Sequence, residues 1–262
     1  DGHSTGSFTP EDSINPNTGM LEQPFYYNDG TWYKLTYSGY ALDMGIGLGG
    51  DGSSDWNLNG SVNLSPMFTN ARIDSSGFDA ATGTGTLVYT GYITLDGVDI
   101  KVAQTYQLDA GNSYIKVSTQ ITNVDTVDAT NLRVWVGTRD DWVGTTDQPT
   151  KTKGNIVDGE FTTIANQTDA SSALKISGSG AEVLFYSTSE GVNTSIQNCC
   201  SFSNATQQDP THSDITRTGD GSYALFLRMA DLAAGESQTL DWFYAAGAPE
   251  NINQVISDVA TA

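Results

Sequence analysis

Arg139, Asp140, Asp141, Asp147, Asn155 and Asp158 all fall within the stretch Gly137 to Glu160, GTRDDWVGTTDQPTKTKGNIVDGE, directly after the apolar run Leu132, Val134, Val136. Calcium takes roughly six to eight hard oxygen ligands from carboxylates, amide and backbone carbonyls and water. Asp140, Asp141, Asp147, Asn155 and Asp158, with carbonyls from the neighbouring turns, supply such a set. Crowded carboxylates raise one another's pKa, and a cation is the natural compensation. Arg139, Lys151 and Lys153 offer the alternative, ordinary ion pairing. The spacing is not that of an EF-hand. A polar connection this long, without an apolar period, reads as a functional loop. Asp51, Asp55, Asp96 and Asp99 are weaker candidates, because Asp-Gly is also the usual hairpin dipeptide.

Trp142, Trp56, Tyr26, Tyr27 and Phe202 are set among Gly, Asn and Asp, where a ring can stay open to a ligand. Trp135 and Trp242 stand inside apolar runs and read as core. A second polar stretch, Asn193 to Asp214, carries Cys199-Cys200 and forms a candidate opposite wall. Hydrolytic readings do worse. His3 and His212 are the only histidines, and neither belongs to a zinc-binding spacing. No G-x-S-x-G elbow is present, and SGSGA at Ser177 to Ala181 reads as a turn. Asp140 with Asp158 or Asp209 would be a glycosidase pair only at a separation that sequence does not give. The expectation is a binding protein and not an enzyme.

Across 262 residues, acidic side chains outnumber basic ones 31 to 11, for a formal charge of -20. Such a surface repels nucleic acid and anionic membranes and favours cations. The two cysteines are adjacent; they either close a vicinal disulfide that fixes a tight turn or remain free thiols. No run of about 18 apolar residues exists, and DGHSTGSF is no leader peptide, so the reading is a segment of a larger secreted, cell-surface protein.

The elements that would position these residues are strands. Runs of Val, Ile, Thr and Tyr at period two fill GTLVYTGYITLDGVDIKVAQTYQLDAGNSYIKVSTQITNVD, broken at Asp96-Gly97 and Ala110-Gly111-Asn112. Ile115, Val117 and Ile121 should face a core. Further strands are expected at Asn131 to Val136, Ala181 to Tyr186, Tyr223 to Arg228 and Gln238 to Ala245, while GIGLGGDGSSDWNLNGS reads as a loop. Only Asn251 to Val259 has helical spacing, through Ile252, Val255, Ile256 and Val259. The predicted fold is all-β, a large antiparallel two-sheet β-sandwich with long polar ligand-binding loops and a short C-terminal helix. Residues 1–24 form an N-terminal arm covering an edge, and residues 25–262 one ligand-binding sandwich.

The run YQLDAGNSYIKVSTQITN, the strand-to-loop run VWVGTRDDWVGTTDQPTKTKGNIVDGEF and the closing LAAGESQTLDWFYAAG together resemble the peptide-binding domain of giant calcium-dependent, repeats-in-toxin type bacterial adhesins. The resemblance implies a Ca2+-assisted, monomeric module of a larger adhesin that captures the free C-terminus of a peptide on another cell, in adhesion and biofilm formation. Transferred residue by residue, it assigns ligand contacts to Arg139, Asp140, Asp141, Trp142, Asp147, Lys151 and Asn155; Phe202 is added as an apolar wall. A bound calcium or Arg139 would meet the terminal carboxylate. A carbohydrate-binding module of the same sandwich class is the alternative reading, with a sugar-active enzyme behind it.

Overall fold

The computed structural model describes residues 14–50, 67–200 and 213–262, and the backbone of 56–58. His3, Asp51, Asp55, Phe202, Asp209 and His212 lie outside the described residues, as does the ring of Trp56. In chain order the strands are β1 (Phe25–Asn28), β2 (Thr31–Lys34), β3 (Asp43–Gly47), β4 (Trp56–Leu58), β5 (Thr69–Asp79), β6 (Thr84–Leu95), β7 (Val98–Leu108), β8 (Tyr114–Asn123), β9 (Arg133–Thr138), β10 (Thr150–Val157), β11 (Glu160–Thr163), β12 (Ala173–Ser177), β13 (Glu182–Ser187), β14 (Asn193–Asn198), β15 (Thr216–Thr218), β16 (Gly221–Arg228) and β17 (Ser237–Gly247), followed by helix α1 (Ile252–Ala260).

Two antiparallel sheets make the sandwich. The larger runs β11-β10-β12-β13-β17-β8-β7-β6-β5, with β15 beside β10; the smaller runs β14-β16-β9-β3-β4. The apolar faces meet in one continuous core that includes Val102, Val117, Ile121, Phe185 and Trp242 from the larger sheet and Met44, Ile46, Val134, Val136 and Leu225 from the smaller. Phe185 meets Tyr223 edge to face across the layers, ring centroids 6.0 Å apart. The strand alternation expected of β8 is present: Val117, Thr119, Ile121 and Asn123 are buried and Lys116 and Gln120 exposed. Buried Thr119 is not orphaned, since Trp242 donates its indole N–H to it at 3.0 Å. Helix α1 buries Ile252, Val255, Ile256 and Val259 against Ala173, Leu184, Phe243 and Ala245 on the outer face of the larger sheet. Each such branched side chain contributes about 1.5–3 kcal/mol of burial.

Three expectations of local structure differ from what is found. GIGLGG is not all loop, because Gly45 and Gly47 belong to β3, where they stand opposite Trp135 and Arg133 of β9, two of the largest fully buried side chains. Glycine leaves room beside such neighbours. The Gly137 to Glu160 stretch is not one loop either, since residues from Thr150 onward form β10 and pair with β12. Its inward positions are Lys151 and Lys153, an inverted pattern with no apolar period to betray it. Finally, residues 14–24 reach the core itself: Ile14, Met20 and Leu21 are buried, and Gln104 and Tyr106 of β7 donate to the carbonyl of Gly19 at 2.8 and 2.6 Å.

Candidate functional site

The hairpin β1–β2 turns on Asp29 and Gly30, both at positive φ, 46° and 80°, as a two-residue turn matching strand twist requires. Its register places Tyr27 opposite Trp32 and Tyr26 opposite Tyr33. Alternation then decides the rest. Tyr26 and Tyr33 pack on the core, while Tyr27 and Trp32 turn outward, 54% and 42% exposed, with ring centroids 4.8 Å apart. Tyr33 is seated against the backbone of Gly180, where an added Cβ would come within 2.4 Å of its ring, and Lys34 bridges to Gly144. The aromatic pair is thus held by a braced element.

Beside this hairpin lies a groove of about 400 Å³. Thr84, Leu87, Tyr106, Ile115 and Tyr244 contribute from strands of the larger sheet, and Thr82, Asn112 and Ser113 from its β5–β6 and β7–β8 turns. Glu22 is the one charged residue among those lining it. Burial lifts the Glu22 carboxyl above the ordinary range, opposed by Asn15, whose amide donates to it at 2.8 Å. An apolar concavity with a few convergent polar groups and a perturbed carboxyl is the usual form of a small-molecule site.

Of the sequence-predicted residues, Arg139, Asp140, Asp141 and Trp142 occupy a different place, the end of the smaller sheet where β9, β14 and β16 finish or begin. Asp141 is fully buried and ion-paired to equally buried Lys151, and it accepts the Gly221 N–H at 3.2 Å. Lys151 also donates to the carbonyls of Pro149 and Gly219, at 3.2 and 2.6 Å. Burial raises the Asp141 carboxyl, with Lys151 pulling the other way. Asp43, also buried, accepts the Arg139 N–H at 2.6 Å and lies 3.5 Å from its side-chain Nε; burial pushes it up to about 7 against the Arg139 charge. Asp140 is pushed up to about 6 by burial, then by Asp220 and Asp147. Trp142 is half-buried, donates its N–H to Gly144 at 2.8 Å, and lies under Lys34, whose Nζ is 5.5 Å from the ring centre.

The five expected calcium ligands do not converge. Asp140 and Asp147 are neighbours, but Asp141 is held by Lys151. Asn155 sits along β10 and ties Ala170 to Ser172. Asp158 and Gly159 are the two positive-φ residues, 52° and 81°, of the β10–β11 turn, so this Asp-Gly pair is turn chemistry. Arg139 and Lys151 are engaged with internal carboxylates and do not offer a free cation to a peptide terminus. Cys199 and Cys200 are joined in a disulfide. Phe202 lies outside the described residues. Sequence reasoning missed Glu22, Trp32 and Asp220. The signal for Trp32 stood in YYNDGTWY, because a two-residue Asp-Gly turn puts Tyr27 and Trp32 on one face; Glu22 carried none.

No protein-family model and no curated protein matches this chain. Solved structures show a distant likeness to it. A protein of Escherichia coli K12 provisionally named an aldose 1-epimerase shares 11% identity over 90% of this chain and 82% of its own, with a TM-score of 0.42. A protein of Synechocystis sp. PCC 6803 shares 8% over 92% and 94%, with a TM-score of 0.43. A human-microbiome protein provisionally named a kojibiose phosphorylase shares 11%, with a TM-score of 0.42; this chain is covered over 97% of its length but spans 34% of that one.

The expectations of a repeats-in-toxin type adhesin module, of a peptide C-terminus as its partner and of a non-enzymatic role are corrected on this finding. The two matches described by an activity carry the names of sugar enzymes and not of adhesin domains. The geometry runs the same way, since the charged side chains meant to capture a terminal carboxylate are already paired inside the fold.

Proposed function

We propose that this chain is a sugar-active protein that holds a neutral saccharide in the groove beside the β1–β2 hairpin, with Glu22 as its acid–base group. The observation that carries the reading is the outward-facing Tyr27–Trp32 pair at a groove whose rim is hydroxyl and amide. A sugar ring has an apolar C–H face suited to an aromatic surface and a hydroxyl edge suited to Thr82, Thr84, Asn112 and Ser113. Among the described residues no basic one lines the groove, so phosphorylated or carboxylated sugars are disfavoured.

Chemistry at this site rests on one carboxyl. Paired-carboxylate glycoside hydrolysis needs two flanking the bond, and among the described residues Glu22 is the one carboxyl in the lining. A single carboxyl raised by burial suits proton transfer at a hemiacetal. The carboxylate takes the anomeric O–H proton as the C1–O5 bond breaks and O5 takes a proton from water; on reclosure at the other carbonyl face O5 gives its proton back to the hydroxide and Glu22 returns its own to the new anomeric oxygen, which gives the opposite anomer. The test is isothermal titration and tryptophan fluorescence against neutral mono- and oligosaccharides, with anomer exchange followed by NMR. Binding should be lost in W32A, and exchange but not binding in E22Q. Absence of binding across the panel, or W32A binding as wild type does, would refute the reading.

A further inference from the structure

Asp140, Cys199, Cys200 and Asp220 present ligand atoms that all lie within 4.8 Å of one another. They come from three loops, after β9, after β14 and before β16, and these strands are neighbours in the order β14-β16-β9, so their ends converge. Cys199 and Asp140 are half-buried, and Cys200 and Asp220 exposed, so a solute can reach the cluster. The position of Asp140 is fixed: its carbonyl accepts from the Thr138 hydroxyl at 2.9 Å and from the Tyr37 N–H at 3.3 Å. Lys151 is committed to Asp141 and Arg139 to Asp43, while Arg217 pairs with Asp214 and donates to the Asn198 side chain beside the cysteines. Asp220 and Asp147 each repel the Asp140 carboxylate.

We propose that Cys199, Cys200, Asp140 and Asp220 form a redox-gated site for a zinc-class divalent cation, closed while the disulfide is intact and opened by a dithiol reductant. Disulfide sulfurs are poor donors, whereas two thiolates with two carboxylates complete a tetrahedral set. Thiolate ligands select zinc-class ions over calcium and magnesium. The step balances: the dithiol passes two electrons and two protons to the S–S bond and itself becomes a disulfide, and metal binding then displaces the two thiol protons. The site is separate from the Glu22 groove and does not depend on the saccharide reading.

Full-length chain, oxidised or reduced with a dithiol that is then removed anaerobically, is titrated with Co2+ and back-titrated with Zn2+. The expected result is a sulfur-to-cobalt charge-transfer band in the reduced chain alone, displaced by Zn2+ and abolished by reoxidation. Asp220 is an exposed turn residue, so D220N tests the carboxylates without threatening the fold. It should weaken Co2+ binding at least about tenfold, or 1.4 kcal/mol, with both thiols still titratable. A disulfide that the dithiol cannot open, a reduced chain without the band, equal binding when oxidised, or unchanged affinity in D220N would each overturn the proposal.

Discussion

Lys151 and Asp141 show how a residue pattern read as a cation site can be an internal fastening. Both side chains are fully buried, and the lysine's other donors hold the Pro149 and Gly219 carbonyls. Removing one partner of a buried pair strands the other charge and costs about 3–5 kcal/mol. K151M should therefore lower Tm by roughly 6 to 20 °C, while D141L/K151M should regain part of that loss, both read by thermal unfolding. Asp43 sets a pH dependence. Its folded pKa is raised from 3.8 to about 7, with burial outweighing Arg139, so the folded state binds the extra proton. The associated stability is complete below the unfolded value and is lost as pH rises through the folded one. Tm should fall between about pH 4 and pH 7, and D43N, which keeps an acceptor for the Arg139 N–H, should flatten that slope.

At the scale of elements, the β1–β2 hairpin is the part on which saccharide binding turns. An added Cβ on Gly30 would meet nothing within 4 Å, yet its φ of 80° penalises any L side chain by about 1–2 kcal/mol. G30A should weaken saccharide binding several-fold through the hairpin while global Tm changes little, because β1 and β2 pair only with each other as strands. Titration and calorimetry on one preparation separate the two effects. Since nothing in the groove lining forms a metal-ligating cluster among the described residues, chelator should leave that binding unchanged. Strands with apolar alternation, such as β8, and the helix α1 were legible as sequence. Strand β10 was not, because its inward residues are lysines whose partners lie on other loops.

Across the whole molecule, a formal charge of -20 works against compaction, since like charges are held closer folded than unfolded. Raising ionic strength from about 0.01 M to about 0.15 M shortens the screening length from roughly 30 to roughly 8 Å, so Tm should rise with sodium chloride over that range. A flat or falling Tm would show that local pairs outweigh the net field. The sequence by itself determined the fold class, the position of the terminal helix and the burial of Trp135 and Trp242, because period-two and helical spacing of apolar residues need only one buried face to act. Which carboxylates are free and which are fastened was decided by tertiary structure alone. Charge neutralisation is a matter of distance, and Asp141 meets Lys151, Asp43 meets Arg139, and Asp140 meets Asp220 and the cysteine pair only once strands far apart in the chain end side by side.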